Sequence, residues 1–157
     1  VYFIGAGGIG MSAIARYFLY KGLDVAGYDR TPSNLTRELE KEGMPIHYEE
    51  NIDAIPQTFR IPRTTLVVFT PAVSANHKEL AFFRENGFNI EKRAQILGRL
   101  TSIHKGLCFA GTHGKTSTST MCAHIMHRSS LGCNAFLAEF RRITIQTTSF
   151  PTRAILL

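Results

Sequence analysis

Two glycine-rich strings hold the residues best suited to chemistry. The first is Gly5-Ala6-Gly7-Gly8-Ile9-Gly10, a G-x-G-x-x-G pattern that runs on into Met11-Ser12. Glycines at this spacing permit a tight turn and let a diphosphate approach the backbone. A helix opening at the last glycine adds unpaired N–H groups and the positive end of its dipole. Asp29 follows nineteen residues after Gly10, where an acidic residue can meet a ribose hydroxyl. A strand–helix turn that binds nothing uses similar glycines, but the strand before, the helix after and the acid beyond favour a nucleotide.

The second string is Gly111-Thr112-His113-Gly114-Lys115-Thr116, followed by Ser117. Its G-K-T ending belongs to phosphate-cradling loops. Loop amides and Lys115 neutralise β/γ-phosphates, and the Thr116 hydroxyl sits on Mg²⁺. The string is shortened, because Phe109 stands where the longer signature has its first glycine. A charged surface turn is the alternative reading; the strand-like run before it and the Thr/Ser-rich segment after it argue against that. A dinucleotide dehydrogenase needs only the first loop and a P-loop kinase only the second. A chain with both handles two different nucleotides.

The elements that must position these loops follow from periodicity. Val1–Ile4, Asp24–Tyr28, Ile46–Tyr48, Thr65–Phe69 and Phe88–Glu91 read as short strands. Met11–Tyr20, Asn34–Glu42, Asn76–Asn86 and Arg93–Leu100 read as helices, with Thr31-Pro32-Ser33 a start signal and Gly43 and Gly87 stops. Asn51–Arg63 has two prolines and reads as loop with one helical turn. This alternation predicts βαβ units and a parallel sheet. Thr101–Gly106 reads as a polar crossing into a new unit: strand Leu107–Ala110, loop Gly111–Lys115, helix Thr116–His127, with Gly132 past its end. The predicted fold is α/β, a Rossmann-like domain over residues 1–103 followed by the start of a P-loop domain over 104–138.

Composition sets the outer bounds. The 157 residues are 44% hydrophobic and 19% charged, which is ordinary for a folded chain and allows one domain and part of a second. Apolar runs are too short for a membrane span, and no signal peptide is expected from the first residues. Three cysteines without C-x-x-C spacing predict neither a disulfide framework nor a zinc site; His124 and His127 beside Cys122 and Cys133 read as helix interior and flank. Half of the +6 net charge lies in the last eighteen residues, as Arg141, Arg142 and Arg153. Three arginines among Thr, Ile and Leu are too weak a footprint for nucleic acid. Leu80, Phe82 and Phe83 read as a buried helix face, and Glu38, Glu40 and Glu42 with Arg37 and Lys41 as a solvated one.

The two loops, with Gly27-Tyr28-Asp29, Thr70-Pro71-Ala72-Val73 and Arg93-Ala94-Gln95-Ile96-Leu97, together resemble the Mur ligases over about residues 1–138. The resemblance implies a cytoplasmic bacterial enzyme of peptidoglycan synthesis. It would be an ATP-dependent ligase joining L-alanine to UDP-N-acetylmuramate through an acyl phosphate. It implies that Gly5, Gly7, Gly8, Ile9, Gly10, Met11 and Ser12 bind the UDP-sugar, with Asp29, Thr70, Pro71 and Ala72 beside it. It further implies that Gly111, Thr112, His113, Gly114, Lys115, Thr116 and Ser117 bind ATP. Lys115, Thr116 and His113 would take the catalytic roles, and Thr116 would hold Mg²⁺.

The family's further Mg²⁺ ligands and its amino-acid-binding domain have no counterpart here, so the chain alone is expected to bind and not to turn over. Residues 139–157 do not continue the family pattern and are left unassigned. They read as a truncated piece or as a distant segment joined on, the second favoured. The first loop with Asp29 taken alone would instead suit an NAD(P)-binding oxidoreductase domain. A non-catalytic nucleotide-binding fragment is the other alternative. The residues do not give an oligomeric state.

Overall fold

The structure is a computed structural model that describes residues 1–74, 76–129, 133–137 and 154–156. The chain divides into two compact units, Val1–Ile96 and Leu97–Leu157.

The first unit is built on five parallel strands: β1 (Tyr2–Ile4), β2 (Ala26–Tyr28), β3 (Ile46–His47), β4 (Leu66–Phe69) and β5 (Asn89–Lys92), in the order β3-β2-β1-β4-β5. Tyr2, Phe3, Ile4, Val67 and Val68 are fully buried. Such continuous burial marks central parallel strands covered on both faces. Between them run the helices α1 (Ile9–Tyr20), α2 (Asn34–Lys41) and α3 (Lys78–Glu85). The helix α4 (Arg93–Ile103) follows β5. Strand order reverses between β1 and β4, and the crevice beyond the carboxyl ends of strands at such a point is where open α/β sheets bind ligands.

One side of the sheet is filled by Tyr2, Ile4, Tyr28, Ile55, Phe59, Leu80, Phe83 and Phe88. Leu80 and Phe83 are fully buried and Phe82 packs alongside, the arrangement that the helical spacing predicts. Ser33 caps α2 by accepting from Thr36 N–H at 3.2 Å, while Thr36 Oγ1 accepts from Ser33 N–H at 2.9 Å. This reciprocal box explains why the helix starts where the Thr-Pro-Ser signal places it.

Three local expectations are corrected. Residues 51–63 hold two 3₁₀ turns, Ile52–Ala54 and Gln57–Phe59, not one, and Asn51 caps the first by accepting from Asp53 N–H at 3.0 Å. The Thr101–Gly106 segment is not a polar crossing. Helix α4 continues to Ile103 because Thr101 Oγ1 donates to Leu97 O and Ser102 Oγ to Arg99 O, satisfying both hydroxyls on their own helix. Glu38 and Glu42 are not merely solvated: they clamp Arg16 of α1 at 2.9 and 2.8 Å.

Beneath the sheet lies a polar cluster that sequence reading left unassigned. The Tyr2 hydroxyl is 2.7 Å from Glu79 Oε2 and 2.7 Å from His47 Nε2, and His47 Nδ1 is 2.8 Å from the Glu49 carbonyl. The carbonyl only accepts, so Nδ1 carries a proton. The single Tyr2 proton serves one neighbour, so the other contact needs a proton from His47 Nε2 or from the Glu79 carboxyl. Glu79 is wholly buried, and burial raises its pKa to about 7, with Tyr2 and Asn51 hydrogen bonds opposing. Burial lowers the pKa of His47 and of His77, and raises that of Tyr2. Burial thus favours the uncharged form of both Glu79 and His47.

In the second unit, β6 (Lys105–Leu107) and β7 (Asn134–Ala135) flank β8 (Ala154–Leu156), all parallel, and α5 spans Lys115–Arg128. The strand before the second loop therefore lies at 105–107 and not at 107–110, because its ladder partner begins at Ala154 opposite Lys105. Within the segment left unassigned by sequence, Ala154–Leu156 forms the central strand of this sheet. Gly132, Arg141, Arg142 and Arg153 lie outside the described residues. Ala123 and Cys133 are buried against Phe109, Cys122 and Met126. Burial raises the Cys133 pKa, so this thiol is packing material. Among the described residues no group of three His, Cys, Asp or Glu could hold a metal, and no helix is long and apolar enough to cross a membrane.

Candidate functional site

The first loop leaves β1 at the switch point. Gly5 adopts φ +87°, a left-handed conformation that favours glycine. Gly5 and Ala6 N–H both donate to Tyr28 O, at 2.8 and 3.0 Å, folding the loop back over β2. A Cβ at Gly5 would lie 3.5 Å from Val73 Cγ2 and 3.6 Å from Thr70 Cγ2. The Thr70–Val73 turn is thus a wall of the loop. It is closed by Val73 N–H on Thr70 O at 3.1 Å and Ala72 N–H on Thr70 Oγ1 at 3.2 Å.

Asp29 has a firmer role than a lone ribose contact. Its Oδ2 accepts from Gly7 N–H at 2.6 Å and its Oδ1 from Thr31 N–H at 3.1 Å. A Cβ at Gly7 would meet Thr36 Cγ2 at 2.8 Å and Asp29 Oδ2 at 2.9 Å. Gly7 is required by this approach, and Asp29 fastens the loop to the end of β2. A carboxylate has about four acceptor sites, so room remains for a hydroxyl.

Helix α1 starts with an extended Gly8 as its cap and no side-chain capping bond. Met11 and Ser12 N–H both donate to Gly8 O, at 3.0 and 2.8 Å. The Gly8, Ile9 and Gly10 N–H groups meet no acceptor among the described residues. Met11 and Ser12 are buried, and Ser12 Oγ donates to Ile9 O at 2.9 Å. Their side chains face inward, so the loop offers backbone donors where the family resemblance also placed these two residues. The structure therefore brings together Gly5–Gly10, Asp29 and Thr70–Ala72. Arg93, named above only within the Arg93–Leu97 string and given no site role, has its guanidinium against Gly10. Its signal was its place at the carboxyl end of β5, one residue past the ladder pair Phe69–Lys92.

In the second unit, Gly114 adopts φ +75° and caps α5, whose first residues are Lys115 and Thr116. Lys115 Nζ donates to the Gly111 and Thr112 carbonyls, the latter at 3.3 Å, so the ammonium is folded across its own loop. His113 is exposed with Nδ1 3.3 Å from Thr112 Oγ1. Ser119 Oγ donates to Lys115 O at 2.8 Å, bracing the first turn. Thr116 is half-buried at the helix start and Ser117 is exposed. Seven consecutive residues, Gly111 to Ser117, thus form one turn with a cation above a helix N-terminus.

A parallel α/β sheet with a glycine-rich loop at its switch point, followed by a unit that carries a G-K-T loop, is the class that the fold and loops define. The Mur ligase family, catalytic domain, matches residues 1–105, and the chain belongs to the Mur ligase family. It is 67% identical over 137 residues to a UDP-N-acetylmuramate–L-alanine ligase of Phocaeicola vulgatus, covering 87% of this chain and 30% of that protein. It is 60% identical to the enzyme of the same name from Parabacteroides distasonis, with the same shares covered. Among solved structures, UDP-N-acetylmuramate-alanine ligase MurC of Thermotoga maritima superposes with a TM-score of 0.78 at 32% identity, over 89% of this chain and 32% of that one. The fold is shared as well, at 22% identity and a TM-score of 0.78, with a UDP-N-acetylmuramate:L-alanyl-gamma-D-glutamyl-meso-diaminopimelate ligase from Neisseria meningitides, over 99% of this chain and 45% of that one. The chain spans about 30% of the length of the ligases it matches.

Proposed function

We propose that this chain is the nucleotide-binding front of an ATP-dependent ligase that joins L-alanine to UDP-N-acetylmuramate in the bacterial cytoplasm. The observation that carries the reading is the 67% identity over 137 residues to a ligase of that name. Residues 1–103 would take the UDP-sugar and residues 104–138 would begin the ATP unit.

The Gly8–Gly10 amides would bind the diphosphate, and Asp29 would keep the loop in the shape that presents them. Lys115 would leave the Gly111 and Thr112 carbonyls for the phosphates of ATP, gaining charge-assisted bonds in exchange for neutral ones. Among the described residues the Mg²⁺ donors amount to the Thr116 hydroxyl. That fits an ion delivered with ATP, since Mg²⁺ is usually held by few protein groups plus phosphates and waters. Such an ion supplies charge neutralisation at the phosphates. The sugar's carboxylate would become an acyl phosphate, which the alanine amine attacks with loss of phosphate. His113 is exposed beside the loop and would contact phosphate or substrate.

Titrating the chain with ATP–Mg²⁺ and with UDP-N-acetylmuramate separately tests the assignment. Lys115→Ala is expected to abolish ATP binding and leave sugar-nucleotide binding within about twofold, with no alanine-dependent phosphate release from either protein. Loss of both ligands together, or turnover by the chain, would contradict it.

A further inference from the structure

We infer that His77 is a positioning residue for the first loop: its uncharged ring, wedged against Tyr28, holds the Thr70–Val73 wall in place, and a second ring proton releases that wall. The inference rests on the reading of that loop as the sugar-nucleotide site and adds to it a proton-linked support.

His77 stands just before α3 and is only 6% exposed. Neither ring nitrogen has a hydrogen-bond partner among the described residues, and the ring does not cap its own helix. That is costly for a buried imidazole, which always carries at least one N–H. What the ring meets is the ring of Tyr28, edge to face, with centroids 4.7 Å apart. Tyr28 ends β2, and its carbonyl accepts the Gly5 and Ala6 N–H bonds that fold the first loop. In the other direction the chain runs straight back to the wall. His77 N–H donates to Ser74 O at 3.1 Å, and Val73 and Thr70 stand against Gly5. His77 therefore joins the wall to the strand that anchors the loop through the packing of two rings.

A ring held by packing keeps this place only while it is uncharged. An imidazolium has two N–H groups to satisfy, and burying its charge unpaired is expensive. From β3 comes His47, which also packs on Tyr28 and opposes a charge on His77. From the turn after β3 comes Glu50, which favours one. Lys78 and Glu79 follow on α3. Burial outweighs these neighbours and lowers the His77 pKa. Glu79, with its pKa raised to about 7, is already uncharged where His77 titrates and offers no compensation. Glu50 is exposed, and its Oε1 accepts Lys78 N–H at 2.5 Å. A charged His77 thus reaches water and Glu50 by turning away from Tyr28, which draws the residues after Ser74 with it. The wall is closed at neutral pH and opens as the pH falls below the ordinary histidine range. Affinity at the loop falls with the closed fraction.

The test follows the chain from pH 8 to 5 in two ways. Nuclear magnetic resonance tracks the His77 ring together with the amides of Gly5, Ala6 and Val73. Calorimetry tracks binding of UDP-N-acetylmuramate, whose phosphates keep their charge over this range, to the unsubstituted chain and to His77→Phe, a ring that cannot charge. The loop amides are expected to shift with the midpoint of the His77 ring. Binding should weaken about tenfold or more towards pH 5, and His77→Phe should flatten that profile to within about threefold. Loop amides that stay still while the ring titrates, or a ring that takes no second proton above pH 5, would overturn the inference. So would an equally steep profile in His77→Phe, or circular dichroism showing that binding is lost through global unfolding. If His77→Phe does not fold, the ring and amide titrations decide. If the unsubstituted chain binds no UDP-sugar at any pH, the sugar-nucleotide reading fails, and the amide shifts alone still decide whether His77 holds the wall.

Discussion

Asp29 accepts two backbone N–H bonds, and hydrogen bonds to charged groups contribute more than neutral ones. Asp29→Ala would leave Gly7 N–H without its partner and loosen the loop. It should lower unfolding stability by about 1–3 kcal/mol, measured by urea denaturation. Glu79 is a carboxyl of the opposite kind. Its folded pKa, about 7, lies above its ordinary value, so its contribution to stability is complete at low pH and is lost as the pH rises through about 7. Above that point Tyr2 has one proton for two acceptors, with Glu50 adding like charge. The cost is at most about 3 kcal/mol. His47 and His77, held neutral by burial, work the other way and destabilise as the pH falls below the ordinary histidine range. Glu79→Gln, whose amide can donate to Tyr2, should flatten the alkaline decline in melting temperature between pH 5 and 8 while leaving the acid decline. An unchanged alkaline slope would show that Glu79 is not the titrating group. The glycines and Asp29 were legible as chemistry because their spacing is local. Tyr2, His47 and Glu79 were not, since they meet only when β1, β3 and α3 assemble.

At the scale of elements, what matters is whether a change strikes backbone or only a mobile side chain. A Cβ on Gly27, in the middle of β2, would stand 2.5 Å from Phe3 O and 3.1 Å from Phe3 Cβ. The neighbour is the backbone of the adjoining central strand, which cannot yield without breaking the ladder. Gly27→Ala is therefore expected to cost roughly 2 kcal/mol or more. Arg16→Ala, which removes two ion pairs between α1 and α2 at partly exposed positions, should cost only about 1 kcal/mol or less. Paired chemical denaturation curves check the contrast, and equal losses would refute it. Strand and helix order in the first unit was readable from periodicity because each element has its own apolar face and turn signals. The strand before the second loop was misplaced. Its register is set by Ala154–Leu156, far along the chain, and Cys108–Ala110 look as strand-like as Lys105–Leu107 until that partner is known. Helix α4 was read short because Thr101 and Ser102 look like turn residues, and only their back-bonding to the helix shows otherwise.

For the whole molecule, the pairing of two phosphate loops said more than either alone, and it was fully present in the sequence. The sheet order β3-β2-β1-β4-β5 puts the first loop where open α/β sheets take ligands: strand order reverses beside it, and the Thr70–Val73 turn closes its far side. That order depends on which strands pair, which periodicity does not carry. The same order serves dinucleotide dehydrogenases, so the ligand is the point on which the account stands or falls. The most direct measurement is a calorimetric titration of the chain with UDP-N-acetylmuramate, with NADH run in parallel. The account predicts saturable binding of the UDP-sugar and none of NADH. It also predicts loss of that binding in Gly7→Val, whose side chain would displace Asp29 and Thr36 from the loop. Saturable NADH binding with no response to the UDP-sugar would contradict it.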